Sequence, residues 1–240
     1  MPKITIVVVV LVNIMVSCKK SSTLDGEIAI SGAMKNVMWQ GQLDGVINLD
    51  TISNTKNLYG LGPLSNLKGE LLILDGQFFQ SKVLSDSTML VKKSPKAEAP
   101  FFVYGWQQNW KKLDLPKEIS TVSSLERWIP TQVGEVNKPF IVKLIGVVSN
   151  AKIHIQNLPD NTKVSSPKEA HIGQVNYSIG KEEVTIVGFY STKHKGIFTH
   201  HDSNLHLHLI TNNLQKMGHL DDVAFSEMKI FLPTQLYQYN

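Results

Sequence analysis

Three histidines near the C-terminal end of the chain have the residue type and spacing of a metal site. His206 and His208 alternate with leucines in Asn204-Leu205-His206-Leu207-His208-Leu209-Ile210, so a β-strand would put both imidazoles on one face. His219 follows eleven residues after His208, beyond the turn-forming Thr211-Asn212-Asn213, and a hairpin of that length returns it beside the first two. Three imidazoles that leave coordination positions open are typical of a catalytic metal site.

The metal that these histidines predict is a divalent transition metal, and zinc is the one we expect. Imidazole also suits copper, iron and nickel, so the residues alone do not choose among them. Two other interpretations stay open. Three unrelated surface histidines would show the same spacing. A cupin also carries His-x-His on a strand, but it expects a glutamate a few residues later, where this chain has Ile210 to Asn213.

The elements that must position the histidines are mostly strands. Strands are predicted over 69–74, 101–104, 140–148, 151–155, 184–190, 205–210 and 228–232, from their length and β-branched content. Helical periodicity is limited to Ile28 to Met38 and to Thr121 to Trp128, the latter opened by Ser120. Proline-bearing loops are predicted over Lys92 to Pro100 and Leu158 to Glu169. The predicted architecture is α+β.

The length and charge of the chain restrict the kinds of molecule that it is expected to bind. The 240 residues suffice for one large or two small domains with a full core. The net charge of +4 comes almost entirely from lysines scattered along the chain, and Arg127 is the sole arginine. Because the sequence has no basic cluster with interleaved aromatic residues, we expect no nucleic-acid partner. The oligomeric state is left open, and an oligomer is compatible with the sequence.

The first residues have the order of charge and hydropathy found in a secretory signal. A lysine precedes the apolar run Ile4 to Val12, which is shorter than the ~20 residues that a membrane-crossing helix needs. A small residue before the single cysteine, in Ser17-Cys18, predicts removal of residues 1–17 and lipid attachment to Cys18. Ordinary cleavage beside an incidental cysteine is the alternative. We expect an exported protein on the periplasmic or outer-membrane face of a bacterial membrane, attached only through lipid, with residues 18–27 as a polar tether.

Two sets of motifs repeat the pattern of one enzyme family. The C-terminal set comprises Thr185 to Tyr190, Lys195-Gly196-Ile197, Leu205 to Leu209 and Gly218 to Asp221. The N-terminal set comprises Leu43 to Val46, Tyr59 to Gly62 and the twelve-residue block Gly69 to Gln80. Over residues 43 to 232 the chain resembles the alpha-acetolactate decarboxylases.

This resemblance implies a carboxy-lyase that converts 2-acetolactate, or a related branched 2-hydroxy-3-oxo acid, to acetoin and CO2. The implied fold has two α/β units with mixed β-sheets, which we assign to an N-terminal domain over residues 28–130 and a C-terminal metal-binding domain over residues 131–240. The implied metal ligands are His206, His208 and His219. A divalent metal there would act as a Lewis acid that stabilises the negative charge left when CO2 departs.

Glu70 is the residue that matches the N-terminal catalytic glutamate of the family. The resemblance implies that its carboxyl group delivers or relays protons. The residues alone leave open a second interpretation, in which Glu70 lies on the polar face of a half-buried strand.

Two catalytic residues of the family are absent from this chain. The family has an arginine eight residues past the glycine that here is Gly146, and that position is His154. Arginine binds a carboxylate through two parallel hydrogen bonds, so we predict that His154 does a weaker version of this work, unless it is simply a buried strand residue. The C-terminal glutamate is missing after Leu232-Pro233. The alternative functions are therefore a non-catalytic metal-binding or ligand-binding lipoprotein, and a surface interaction protein in which only the fold matters.

The segment between Ile197 and His206 is three residues longer than in the family. It adds His200 and His201 near the predicted site. They are either additional metal ligands or ordinary loop residues.

Overall fold

The computed structural model describes residues 24–237, and over this range the chain forms fourteen strands and three α-helices. The strands are β1 (Ile28–Gly32), β2 (Ile47–Asn48), β3 (Leu58–Pro63), β4 (Glu70–Leu74), β5 (Gln77–Val83), β6 (Met89–Lys93), β7 (Glu98–Ala99), β8 (Phe101–Trp106), β9 (Trp110–Asp114), β10 (Phe140–Ile155), β11 (Val175–Ile179), β12 (Glu182–Tyr190), β13 (Leu205–Thr211) and β14 (Met217–Pro233). The helices are α1 (Met34–Gln40), α2 (Val122–Val133) and α3 (Pro167–Ala170). The predicted signal and the lipid-attachment site at Cys18 lie outside the described residues. No helix within residues 24–237 is long and apolar enough to cross a membrane.

Most of the strands form two six-stranded sheets. The first sheet has the order β1-β8-β3-β4-β5-β6, the second has the order β11-β10-β12-β13-β14-β9, and β2 pairs with β7 separately. These strand pairs are antiparallel, and an isolated parallel bridge joins Asp25 to Trp106. Separate sheets with few helices confirm the predicted α+β class.

The second sheet closes on itself through its two longest strands. β10 has 16 residues and joins into one strand the two segments predicted over 140–148 and 151–155. It pairs with β12 over Phe140–Val148 and with β14 between Lys143 and His154. Because β13 links β12 to β14, the four strands β10, β12, β13 and β14 form a closed ring. Shifts of register between β10 and β14 allow the bend that this closure needs.

The first predicted helix is wrong over its first half. Ile28–Gly32 form β1 and pair with Phe101–Gly105 of β8, and the helix begins only at Met34. Gly32 ends the strand with a φ of +66°, a conformation that glycine adopts without strain. The apolar residues before Gly32 are compatible with a helix or a strand, and they form a strand because they pair with β8.

The second predicted helix is confirmed and extends further than expected. Its N-cap is Thr121 rather than Ser120: the Thr121 hydroxyl accepts a hydrogen bond from the Ser124 backbone N–H at 3.2 Å, and the Ser124 hydroxyl accepts one from the Thr121 N–H at 2.9 Å. This reciprocal capping satisfies two N–H groups that a helix start leaves without partners. The buried face of α2, formed by Leu125, Ile129 and Val133, packs on the second sheet.

The chain crosses from the first sheet to the second between Trp106 and Trp110. β9 pairs with β14, and α2 packs on the second sheet, so residues 110–130 lie with the second sheet and not with the first. The domain boundary near residue 130 stays a prediction, although the chain passes from the first sheet to the second before that residue.

The two sheets share an apolar layer that ends at the histidines. The first sheet contributes Tyr59, Leu61, Leu72, Phe79 and Val103, and the second contributes Ile141, Val187, Phe189, Ile210 and Met217. At one end of this layer, a smaller cluster packs α1 and α3 around Leu67 and Phe101. The functional residues described below lie where these two clusters meet.

Candidate metal centre

The alternation predicted for β13 is present in the structure. Leu205, Leu207 and Leu209 belong to the core on the α2 side of the second sheet, whereas Ile210 belongs to the layer between the sheets. The two histidines share the face of Ile210, because strand side chains alternate. His206 and His208 therefore point toward the first sheet, and both are buried.

The predicted return of His219 by a hairpin is also present. β13 and β14 are joined by the turn after Thr211, and His219 is the direct cross-strand partner of His208. The ring centroid of His219 lies 4.9 Å from that of His206 and 5.6 Å from that of His208, and the centroids of the His206 and His208 rings are 5.2 Å apart. One ring nitrogen from each residue falls within 4.8 Å of the others, a grouping that can hold a metal ion.

The hydrogen bonds of these rings fit a metal site. His206 donates its Nδ1 proton to the Phe198 carbonyl at 2.6 Å, which fixes the tautomer and leaves Nε2 free as a ligand. Neither ring nitrogen of His208 makes a hydrogen bond of good geometry, although the ring is completely buried. Buried polar atoms without partners are rare in proteins, and a metal ion is a partner that satisfies them.

The histidines are held in the neutral form that binds metals. Burial lowers the pKa of His208 to about 3, and the neighbouring His154 adds to this decrease while the backbone of Leu71 opposes part of it. Burial also lowers the pKa of His206 and of His219 well below the usual value, with smaller contributions from the other rings. Neutral imidazole has the free lone pair that coordination requires.

Glu70 reaches this group from the other sheet. It begins β4, is 3% exposed, and its Oε2 lies 3.7 Å from His208 Nε2. Its Oε1 accepts a hydrogen bond from the Gln156 backbone N–H at 3.1 Å. Burial raises the pKa of the Glu70 carboxyl well above the usual value, and the charge of Asp221 raises it further, while the Gln156 hydrogen bond opposes both. The carboxyl group therefore holds a proton readily in the metal-free protein.

His154 lies beside the three histidines on β10. It is the cross-strand partner of His219, and their ring centroids are 4.6 Å apart. His154 donates its Nδ1 proton to Asp221 Oδ1 at 2.7 Å, and its Nε2 accepts a hydrogen bond from the Gln156 side-chain amide at 3.3 Å. The carboxylate and the amide together fix the orientation of the imidazole.

Asp221 reaches His154 at a point where the strand is irregular. In the register of β10 and β14, Lys152 pairs with Asp222 and Ile153 pairs with Leu220, so Asp221 is the extra residue of a β-bulge. Asp221 has the strand parity of His219 and lies 4.0 Å from its Nε2, so alternation alone allows this contact. The partner His154 could not be named without the pairing of β14 with β10.

The space between these side chains is small, and its described wall has no lysine or arginine. The inner cavity has a volume of about 20 Å³, enough for a metal ion or one water molecule. Within residues 24–237, the side chains that line it are Met34, Met38, Pro63, Leu67, Glu70, Phe101, His154, Gln156, His171, His200, His206 and His219. Lysine and arginine are therefore missing from the described wall. Arg127, the sole arginine, lies on α2 and donates to Ser123.

The structure brings together every residue that the sequence suggested for the site: Glu70, His154, His206, His208 and His219. It also separates the two histidines of the longer loop. His200 lines the inner cavity, whereas the His201 side chain is 91% exposed. Gln156 and His171 also line the cavity and were not anticipated. Gln156 lies one residue past the end of β10 and two residues after His154, so strand alternation would have put both side chains on one face. A loop histidine such as His171 has no comparable signal in the sequence.

Comparison with known proteins identifies the family. Residues 31–236 match the family model of alpha-acetolactate decarboxylase. The chain is 26% identical over 189 residues to an alpha-acetolactate decarboxylase of Methanosarcina mazei, covering 78% of this chain and 62% of that protein. It is 26% identical over 164 residues to one of Streptococcus thermophilus, covering 68% and 66%. The chain thus spans less than two thirds of the length of these relatives.

Solved structures share the fold. The alpha-acetolactate decarboxylase of Bacillus subtilis strain 168 superimposes with a TM-score of 0.73 at 21% identity, covering 86% of this chain and 84% of that one. A Staphylococcus aureus protein of unknown function, similar to alpha-acetolactate decarboxylase, has a TM-score of 0.73 at 16% identity, covering 85% and 84%. Since the family model covers most of the sequence, the chain belongs to the alpha-acetolactate decarboxylase family.

Proposed function

We propose that the protein is a metal-dependent carboxy-lyase that converts 2-acetolactate, or a related branched 2-hydroxy-3-oxo acid, to acetoin and CO2. The observation that carries this proposal is the buried group of three neutral histidines facing the buried carboxyl group of Glu70. Membership of the family supports the same reaction.

His206, His208 and His219 would hold the metal through one nitrogen each. A divalent ion bound there supplies a Lewis acid that stabilises negative charge on substrate oxygens as CO2 leaves. Zinc is our first candidate, because three neutral imidazoles suit it well. The partly exposed Asp221 supports the neighbouring His154, and with His154 and His219 it forms a second group that could hold an ion and that shares His219 with the first.

Glu70 is the proposed proton donor to the carbon that loses CO2. Its carboxyl group is buried, is fixed by the Gln156 N–H, and holds a proton readily. A buried acid beside the reacting carbon can protonate it without competition from bulk water. The Gln156 side-chain amide is the neighbouring donor that would orient the substrate carboxylate before it leaves, and His154 would join it with Nε2 protonated in place of the hydrogen bond that this atom now accepts.

A second candidate function is a metal-binding or ligand-binding protein without catalysis. It is favoured by the wall of the described cavity, which contains no lysine or arginine in place of the missing family arginine. In this case the histidines bind their ion, but the substrate carboxylate lacks the charged partner that aligns it.

The experiment that decides between these functions measures metal and product on the same sample. Full-length protein purified in detergent is reconstituted with zinc, analysed for bound metal, and supplied with racemic 2-acetolactate while acetoin is measured. About one metal ion per chain together with acetoin supports the lyase. Metal without acetoin supports the binding protein. Protein that takes up no metal contradicts both, and His208→Ala provides the control for binding at this site.

We also propose that the protein is exported and attached to a bacterial membrane by lipid on Cys18. Ser17-Cys18 at the end of the short apolar run supports this proposal. Wild-type protein should incorporate labelled fatty acid and sediment with membranes, whereas Cys18→Ser should do neither. Wild-type protein without label would contradict the attachment.

A further inference from the structure

His200 is a partly buried imidazole of the inner cavity that the proposed function does not use. Its ring centroid lies 5.0 Å from that of His219 and 5.8 Å from that of His206. These separations are close to those within the three-histidine group, which run from 4.9 to 5.6 Å. His200 therefore extends the cluster on the side of His206 and His219.

The Nε2 atom of His200 is buried without a hydrogen-bond partner. The adjacent His201 has the opposite character, with a side chain that is 91% exposed and only a distant contact with Asp202 at 4.0 Å. A loop that needed only solubility would expose both residues. Burying an imidazole nitrogen without a partner costs free energy, and a ligand bound in the cavity would remove that cost.

The loop that carries His200 is fixed on both sides. Before it, the Phe198 carbonyl accepts the Nδ1 proton of His206 at 2.6 Å. After it, Glu126 of α2 accepts hydrogen bonds from the Ser203 hydroxyl and the Asn204 N–H, both at 2.8 Å. These anchors hold the intervening residues over the cavity, so the position of His200 follows from the attachment of the loop.

We propose that His200 is a fourth protein ligand of the metal, with Nε2 as the donor atom. This inference rests on the proposed metal centre at His206, His208 and His219. His200 is not part of the group whose ligand atoms lie within 4.8 Å of one another, so binding draws the ring inward. A fourth imidazole would bind the ion more tightly and take one of the positions that three histidines leave open, so that substrate oxygens would bind by expansion of the coordination to five or more ligands.

The test compares His200→Ala with His201→Ala, a control that removes the neighbouring imidazole from the surface of the same loop. Metal-free full-length protein is titrated with zinc in competition with a chromophoric chelator. We expect His200→Ala to lose at least about tenfold in affinity, and His201→Ala to match wild type. With cobalt in place of zinc, the visible absorption spectrum should change for His200→Ala alone. His200→Gln, which retains a polar side chain, should resemble His200→Ala if folding is intact by circular dichroism.

The outcomes separate this inference from the proposed function. Wild type that binds metal, with equal affinities and cobalt spectra for the His200 and His201 variants, overturns the fourth ligand and leaves the three-histidine centre in place. Wild type that binds no metal overturns the centre itself. A His200 variant with unchanged metal affinity but a raised KM for 2-acetolactate shows contact with substrate, and also overturns the ligand assignment.

Discussion

Replacing Glu70 with glutamine should stop proton delivery and leave the fold intact. The amide has nearly the same shape as the protonated carboxyl group that burial favours here. Its oxygen can still accept the Gln156 N–H, which now donates to Glu70 Oε1 at 3.1 Å. The variant therefore keeps the buried hydrogen bond but has no ionisable proton beside His208 Nε2, which lies 3.7 Å from Oε2.

Glu70→Gln should lower the reaction rate much more than it lowers the free energy of unfolding. A positioned general acid contributes roughly 10²–10⁴-fold to a rate, which corresponds to about 3–5 kcal/mol of activation free energy. Because Glu70→Gln retains the acceptor, the free energy of unfolding should change by less than about 1 kcal/mol. Glu70→Leu removes the acceptor and leaves the buried Gln156 N–H unpaired, which should cost about 1–3 kcal/mol of stability.

The assay measures acetoin formation and urea unfolding on the same zinc-loaded preparations. Glu227→Gln, at an exposed position of β14, controls for the loss of a strand carboxylate away from the site. We expect its turnover to equal wild type. A Glu70→Gln variant that turns over within about threefold of wild type, far below the effect of losing a general acid, would show that Glu70 is a structural residue of β4 and that the proton comes from elsewhere.

Two further predictions concern the rest of the site. Because arginine binds a carboxylate through two hydrogen bonds and stays charged at every working pH, His154→Arg should raise the turnover of 2-acetolactate. His154→Gln should lower turnover by roughly ten- to a hundredfold, the equivalent of one charge-assisted hydrogen bond, and indifference of both variants would exclude His154 from the site. Zinc at a hundred times its Kd should raise the free energy of unfolding by about 2.7 kcal/mol, a gain that His208→Ala should largely lose. Equal stabilisation of that variant would mean that zinc binds elsewhere.

Strand β13, which carries His206 and His208, and its hairpin with β14 were predictable because side-chain alternation and turn formation depend on residues close together in the sequence. Alternation put His206 and His208 on one face, and the turn after Thr211 returned His219 beside them. The contact of Glu70 with His208 was not predictable in this way, since it joins two sheets through residues far apart in the chain. Only the resemblance to a family suggested it. The contact of Asp221 with His154 also escaped prediction, because it depends on the pairing of β14 with β10, which joins residues far apart in the chain.

For the proposed lyase, the charges of the site predict that the missing family arginine affects the rate more than the choice of substrate. Burial lowers the pKa of His206, His208 and His219 and raises that of Glu70, so each of these groups favours its uncharged form in the metal-free site. A divalent ion would bring two positive charges into this low-dielectric space, which favours the binding of an anion. The carboxylate of a 2-hydroxy-3-oxo acid would supply that anion, and the neutral decarboxylated product would be held less tightly. On this proposal the preference for an anion does not need the arginine, whereas the alignment of the carboxylate would depend on His154 and Gln156 alone.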